Sequence, residues 1–239
     1  MFTARLVTYP PILTGARRPH FICCMTVSGF TFNAFSENTY LLHDATGQCV
    51  VVDPGCYDRA EQEALRQFVA DQGLQVVLLV NTHCHIDHVF GNQFILDTYK
   101  VPFLIHEADL GTLRAVPAYA PSYGFAHYSP AEPTGFLTPG EPVRFGDTEL
   151  EVRFAPGHAP GHVVFYHEPT QTVIGGDVLF QGSIGRTDLP GGDHATLISS
   201  IRTQLLTLPD AVTVYPGHGP ATTIGAERRT TPFCARRVR

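Results

Sequence analysis

Short strands alternating with amphipathic helices, in two successive halves, mark this 239-residue chain as an α/β protein. Three observations carry that expectation. Residues 59–72 set Ala60, Ala64, Leu65, Phe68 and Val69 at helical spacing, an apolar stripe along an otherwise polar segment. The short apolar run Leu74–Val80 reads as a buried strand. Later on, Val152–His158, Thr172–Asp177 and Val212–His218 each read as a strand that stops at a Pro-Gly or Gly-Gly turn.

In chain order, residues 1–24 stand apart. They hold three arginines, no acidic residue, the pair Pro10-Pro11 and no alternating strand pattern. A signal peptide needs an unbroken apolar stretch, which Pro10-Pro11 and Arg17-Arg18 interrupt. This segment is expected to be a disordered extension or a start-site artefact, with a single domain over residues 25–239. The first half then runs to about Ala108 and contains Val50–Val52 leading into Asp53, the helix and the strand just described. Residues 111–136 turn rich in Pro, Tyr and Gly, which predicts a long loop of the kind that serves as a lid. The second half begins near Glu141 with Val143-Arg-Phe-Gly-Asp, a strand followed by a turn. Its helix, residues 196–206, is announced by Asp193 in a capping position.

The chemistry concentrates where the strands end. Immediately after Val80 come His83, His85, Asp87 and His88, four metal-capable side chains within six residues. Burying such a cluster is costly unless something pairs with it, and imidazole and carboxylate are ligands that zinc and iron accept. The ligands are packed too closely for one ion to use all four, so two neighbouring ions suit them better. Cys84 alternates with His83 and His85 and points to the other side, where it reads as a small buried filler. His158, Asp177 and His218 each follow a strand and a glycine, which lets the backbone approach an ion closely. Singly, each reads as an ordinary turn. With the first cluster they complete a set of seven.

That ordered set resembles the metallo-β-lactamase superfamily of metal-dependent hydrolases, across roughly Phe30 to Phe233. More narrowly, Phe32-Asn-Ala-Phe-Ser-Glu-Asn-Thr-Tyr-Leu-Leu, Val51-Val-Asp53-Pro-Gly and the stretch from Asp177 to Asp188 are similar to its glyoxalase II branch, in the short form that ends soon after the last histidine. The resemblance implies a four-layer αββα sandwich with metals at one edge. It implies a first ion on His83, His85 and His158, a second on Asp87, His88 and His218, and Asp177 bridging them. The nucleophile would be a hydroxide shared by both ions, since a divalent ion can bring the pKa of bound water toward ~7. Asp87 would also orient that water, making Asp87 and Asp177 the catalytic carboxylates. Asp177 stands where the antibiotic-cleaving lactamases carry a cysteine. Zinc is the expected metal, and the same ligands suit iron or manganese.

Asp53 and His162 are read as supports for the ligands. His20, His43, His106, His127, His167 and His194 lack ligand spacing and read as surface or capping residues. For substrate contact, Arg186 either forks onto a glutathione carboxylate or pairs with Asp188 or Asp193. Tyr119, Tyr123, Phe125 or Tyr128 is expected to wall the cleft, with a satellite apolar cluster as the competing role.

The expected activity is cleavage of S-acylglutathione thioesters, small molecules. Persulfide dioxygenases share the resemblance, including Gly185-Arg-Thr-Asp188, and would hold one iron on His83, His158 and Asp177. A lactonase is the other alternative. A formal charge of −6 without basic runs argues against nucleic acid as partner. Six scattered cysteines set no disulfide framework and fit a reducing cytoplasm. No apolar run approaches the ~20 residues that span a membrane.

Overall fold

The computed structural model describes residues 5–9 and 24–231. Seven strands pair in sequence order into a first sheet: β1 (Arg5–Tyr9), β2 (Thr26–Phe32), β3 (Glu37–His43), β4 (Gln48–Val52), β5 (Gln75–Val80), β6 (Phe103–His106) and β7 (Gly135–Leu137). The first four are antiparallel, and β4 to β7 are parallel. Parallel neighbours need long crossovers, which helices supply. Helix α1 (Arg59–Asp71) links β4 to β5; α2 (Ile86–Val89) and α3 (Asn92–Tyr99) link β5 to β6; α4 (Leu110–Tyr119) follows β6.

The second half repeats the scheme. Strands β8 (Val143–Phe145), β9 (Thr148–Phe154), β10 (Val163–His167) and β11 (Thr172–Gly176) form an antiparallel meander. A separate hairpin, β12 (Leu179–Phe180) with β13 (Ser183–Ile184), leads to α5 (His194–Ser200). Then β14 (Thr213–Pro216) joins β11 in parallel, β15 (Thr222–Thr223) adds to its far edge, and α6 (Ile224–Thr230) follows.

Period-two alternation decides how these layers stack. In the first sheet Leu41, Val51 and Leu79 face the helices, while Tyr40, Leu42, Val50, Val52, Leu78 and Val80 face the second sheet. There they meet Val163, Phe165, Ile174 and Tyr215. The opposite face of the second sheet, with Val164, Tyr166, Val173 and Val214, packs against Leu197 and Ile201. The result is the αββα sandwich that the sequence led us to expect.

Local signals were accurate at α1. Asp58 accepts from Ala60 N (2.8 Å) and Glu61 N (2.9 Å), and Glu61 reaches back to Asp58 N, a capping box. Asp193 caps α5 through Thr196 N at 2.7 Å. The structure differs in three places. Within the segment expected to be a disordered extension, residues 5–9 form β1 on the edge of β2. The remainder of that expectation, residues 1–4 and 10–23, lies outside the described residues. The predicted helix 196–206 begins at His194 and widens into a π-helical turn over Ile201–Leu205. That widening keeps Leu197, Ile201 and Leu205, spaced by four and all fully buried, against the sheet.

The expected 111–136 loop is half helix. Leu113, Val116 and Ala120, at helical spacing, bury one side of α4 and of the short 3₁₀ turn Ala120–Tyr123, a periodicity masked by the local Pro, Tyr and Gly content. Among the described residues, no helix is long and apolar enough to cross a membrane. Phe165 is fully buried between the sheets, so Phe165→Ala is expected to cost about 3–5 kcal/mol. Urea unfolding with an unchanged m-value would check this.

Candidate metal centre

Five strands end at one edge of the sandwich, and each releases a polar residue there. Asp53 follows β4, the 83–88 cluster follows β5, His158 lies beyond β9, Asp177 follows β11 and His218 follows β14. Gly217 keeps the last turn close, since a Cβ there would collide with the Asp177 carboxylate. The first sheet grips the same turn. Asn38 donates from its side chain to Pro216 O (3.1 Å) and Gly219 O (2.8 Å), and the Tyr40 hydroxyl donates to Pro216 O (2.7 Å).

All seven residues singled out in the sequence come together. His83, His85 and His158 offer ligand atoms that lie within 4.8 Å of one another, with His85 Nδ1 2.8 Å from His158 Nε2. Asp87, His88 and His218 form another such group, with Asp87 Oδ2 3.1 Å from His218 Nε2. Asp177 stands between the groups. Its Oδ2 is 3.5 Å from both His158 Nε2 and His218 Nε2, and its Oδ1 is 3.6 Å from His88 Nε2.

The hydrogen bonds on the outer side of the imidazoles turn one nitrogen of each toward the other ligands. His158 Nδ1 donates to Arg186 O (2.8 Å), and His218 Nδ1 donates to Phe35 O (3.1 Å) and Ser36 O (3.2 Å). A carbonyl can only accept, so the proton sits on Nδ1 and the lone pair on Nε2 points into the centre. His83 Nδ1 meets Thr82 Oγ1 and His88 Nδ1 meets Asp53 Oδ2, again leaving Nε2 inward. His83 Nε2, His88 Nε2 and Asp177 Oδ1 are buried with no hydrogen-bond partner. Buried polar atoms are rarely left so. Convergent imidazole lone pairs and carboxylate oxygens are the donor set that a divalent cation satisfies, and these residues fit one.

Charge divides the centre into two unlike sides. Burial, reinforced by His88 and the neighbouring imidazoles, holds His83 far below the usual histidine range, and burial with His158 pushes His85 down to about 3. Both are therefore neutral, the form that binds metal. On the other side, burial lowers His88, but Asp87 and Asp177 together outweigh it and raise its pKa. Burial likewise pushes Asp87 and Asp177 up, and the facing imidazoles overcome it and hold both carboxylates ionised.

The two residues read as supports lie against the ligands. Asp53, held at φ +49°, accepts from Thr82 N (2.7 Å), Thr82 Oγ1 (2.5 Å) and Asn81 Nδ2 (3.2 Å) as well as facing His88. His162 stacks on His83 at 4.7 Å, and its Nε2 accepts from Asp177 N at 3.0 Å. Cys84 is fully buried in the helix-side core, away from the ligands.

The proposed substrate contacts fare differently. Arg186 makes both of its forked bonds to Asp188, Nε to Oδ1 at 2.7 Å and an Nη to Oδ2 at 2.8 Å, which is the pairing alternative. Tyr123 is 59% exposed and leans edge-on against Tyr119 at 5.9 Å. Burial, with the Asp87 carboxylate adding to it, pushes the Tyr119 hydroxyl up to about 12. Phe125 and Tyr128 pack against the helix-side core.

Of the histidines set aside, His106 caps Ala108 N, whereas His167 is buried and bonded to Thr170 Oγ1. His20 lies outside the described residues. Sequence reasoning missed Glu37, fully buried with Oε1 3.9 Å from His88 Nδ1, and Asp109, which binds backbone amides beside the ligands. Glu37 and the turn-holding Asn38 lie inside the quoted Phe32–Leu42 stretch, where they could have been found. Asp109 carried no such signal.

Comparison with known proteins agrees with this geometry. The profile described as "Metallo-beta-lactamase superfamily" matches residues 33–218. The chain is 36% identical over 211 residues to a protein of Haemophilus influenzae named hydroxyacylglutathione hydrolase GloC, covering 87% of this chain and 98% of the relative. Among solved structures, one described as the BLEG-1 B3 metallo-beta-lactamase superposes with a TM-score of 0.80 at 33% identity, covering 88% of this chain and all of the other. Another, TTHA1623 in a di-iron-bound form, gives a TM-score of 0.76 at 38% identity over 85% of this chain and 98% of that one. The chain belongs to the metallo-beta-lactamase superfamily. Within it, this is a metal-binding hydrolase.

Ligand atoms without partners make the metal a stabilising ligand of the folded state. Chelation is expected to lower Tm, and a divalent ion at 100 times its Kd to restore about 2.7 kcal/mol, on the order of 5–10 °C for a chain of this size. Differential scanning calorimetry with and without chelator reads this directly.

Proposed function

We propose that this protein hydrolyses S-acylglutathione thioesters such as S-lactoylglutathione, using two divalent ions, zinc first among them. The first ion would sit on His83, His85 and His158, the second on Asp87, His88 and His218, with Asp177 shared. The position of Asp177 carries the proposal: its Oδ2 lies 3.5 Å from His158 Nε2 of the first group and 3.5 Å from His218 Nε2 of the second, where one carboxylate oxygen could be shared. The thioester reading draws support from the relative named hydroxyacylglutathione hydrolase, which aligns over nearly its whole length.

Bound ions would supply a water activated near neutral pH and positive charge for the oxyanion that forms on the thioester carbonyl. The chain's own residues do the rest. Asp87, kept ionised by burial being outweighed at His88 and His218, accepts a hydrogen bond from the attacking water and so aims it. The Arg186 O and Phe35 O carbonyls hold His158 and His218 in one tautomer and one orientation. At the mouth, a glutathione carboxylate would take over the forked donors that Arg186 gives to Asp188, an exchange of one carboxylate for another. Tyr123, exposed beside Tyr119, would flank the same group. The described cysteines are free, and Cys49, Cys56 and Cys84 are buried thiols, in keeping with a reducing cytoplasm.

Steady-state hydrolysis of S-lactoylglutathione by fully loaded protein, with its metal content measured and a chromogenic β-lactam as comparison, tests the reading. Preferential turnover of the thioester by a two-ion protein is expected, whereas turnover of the lactam alone would reject it. Asp177→Asn should lower kcat at least ~100-fold and reduce ion occupancy, a loss no smaller than that from disturbing the ligands' supports. Arg186→Ala should raise KM for the glutathione thioester about tenfold with kcat little changed, as expected when one charged hydrogen-bond partner of the bound substrate is lost.

A further inference from the structure

We infer that Asp109 is a positioning residue for one side of the centre: its carboxylate ties the His83–His85 segment to the His158–His162 segment and thereby sets the affinity of the ion those histidines hold. The inference rests on the ligand partition proposed above. Asp109 occupies the N-cap position of α4, where an aspartate ordinarily accepts from its own helix's first amides. Here it caps none of them. Its Oδ2 instead accepts from Cys84 N at 2.6 Å, and its Oδ1 from Gly161 N at 3.1 Å and Thr112 Oγ1 at 3.1 Å.

Both amides sit among the ligands. Cys84 N belongs to the residue between His83 and His85, in a stretch outside any strand. Gly161 N lies three residues past His158 and directly before His162, which stacks on His83. A single fully buried carboxylate therefore fixes the relative position of the three imidazoles of the first group. The fit is tight on the far side as well, because a Cβ on Gly161 would come within 2.6 Å of the Asp109 Cβ. The buried Asp53 carboxylate binds a different set of groups, on Asn81, Thr82 and His88. No hydrogen bond links Asp109 to Asp87, His88 or His218 among the described residues, so its influence should be one-sided.

Asparagine is the informative replacement. It keeps the shape but offers one acceptor oxygen, so one of the two amides would face an NH₂ donor instead. Zinc titration of metal-free protein against a chelating dye reads the effect, with Asp109→Asn placed in two backgrounds. His218→Ala leaves the first group intact, and His85→Ala leaves the second. Affinity is expected to fall about 10–100-fold in the first background and less than twofold in the second. Equal losses in both, or none in the first, overturn the proposal.

A second measurement uses the unmodified protein and so does not depend on any variant folding. Exchange of the Cys84 and Gly161 amides should slow together as metal is added, and a freely exchanging Cys84 amide in loaded protein likewise overturns it. The ion count of the unmodified protein separately tests the two-ion reading. A count of one would reject that reading while leaving the Asp109 comparison legible in the His218→Ala background.

Discussion

Enclosing the Asp177 carboxylate among imidazoles is the constraint around which both halves of this molecule are arranged. An ionised carboxylate cannot be taken out of water unless opposing charge or hydrogen bonds replace the hydration. Asp177 receives neither from its own half alone. His158 comes from the same sheet, but His88 comes from the other, and His218 is held in its turn by Asn38 and Tyr40 of β3. The sandwich has to close before the charge can be balanced.

The closure is fastened away from the centre too. Asp44, at the end of β3, accepts from Asp147 N (2.8 Å) and Thr148 Oγ1 (2.9 Å) in the hairpin that opens β9. Between these polar fastenings lies the inter-sheet core, built from apolar side chains such as Leu42, Val50, Val52, Val163, Phe165 and Ile174. The arrangement separates tasks: apolar burial brings the sheets together, and a few directional bonds at the ends set their relative position. Such directional bonds are what a site demanding ångström-level placement needs.

What the sequence made legible follows the range of the interactions involved. The α1 cap, the α5 cap and the β5 strand are local, written within a few consecutive residues. The 83–88 cluster is equally local and was conspicuous for that reason. His158, Asp177 and His218 are ordinary turn residues one by one, and gained meaning only as an ordered set. Asp109 escaped because its partners are main-chain amides of Cys84 and Gly161, and a backbone amide leaves no mark in the sequence. Helix α4 escaped for a different reason: its buried side uses just Leu113 and Val116, with Pro117 close behind, too thin a stripe to stand out from a loop composition. Arg186 shows the remaining limit, since a forked guanidinium suits a substrate carboxylate and Asp188 equally well.

The grip of β3 on the turn before His218 has a consequence for how the protein comes into being. On the ribosome, β3 and the histidine cluster after β5 emerge long before β14 does. Until that last strand is released, the early imidazoles and Asp87 face water, without the neighbours that later enclose them. An ion met at that stage finds half a site, and can be lost again as readily as it was gained. Firm capture must wait until β14 and His218 have emerged, so metal retention is a record that the two halves of the sandwich have met.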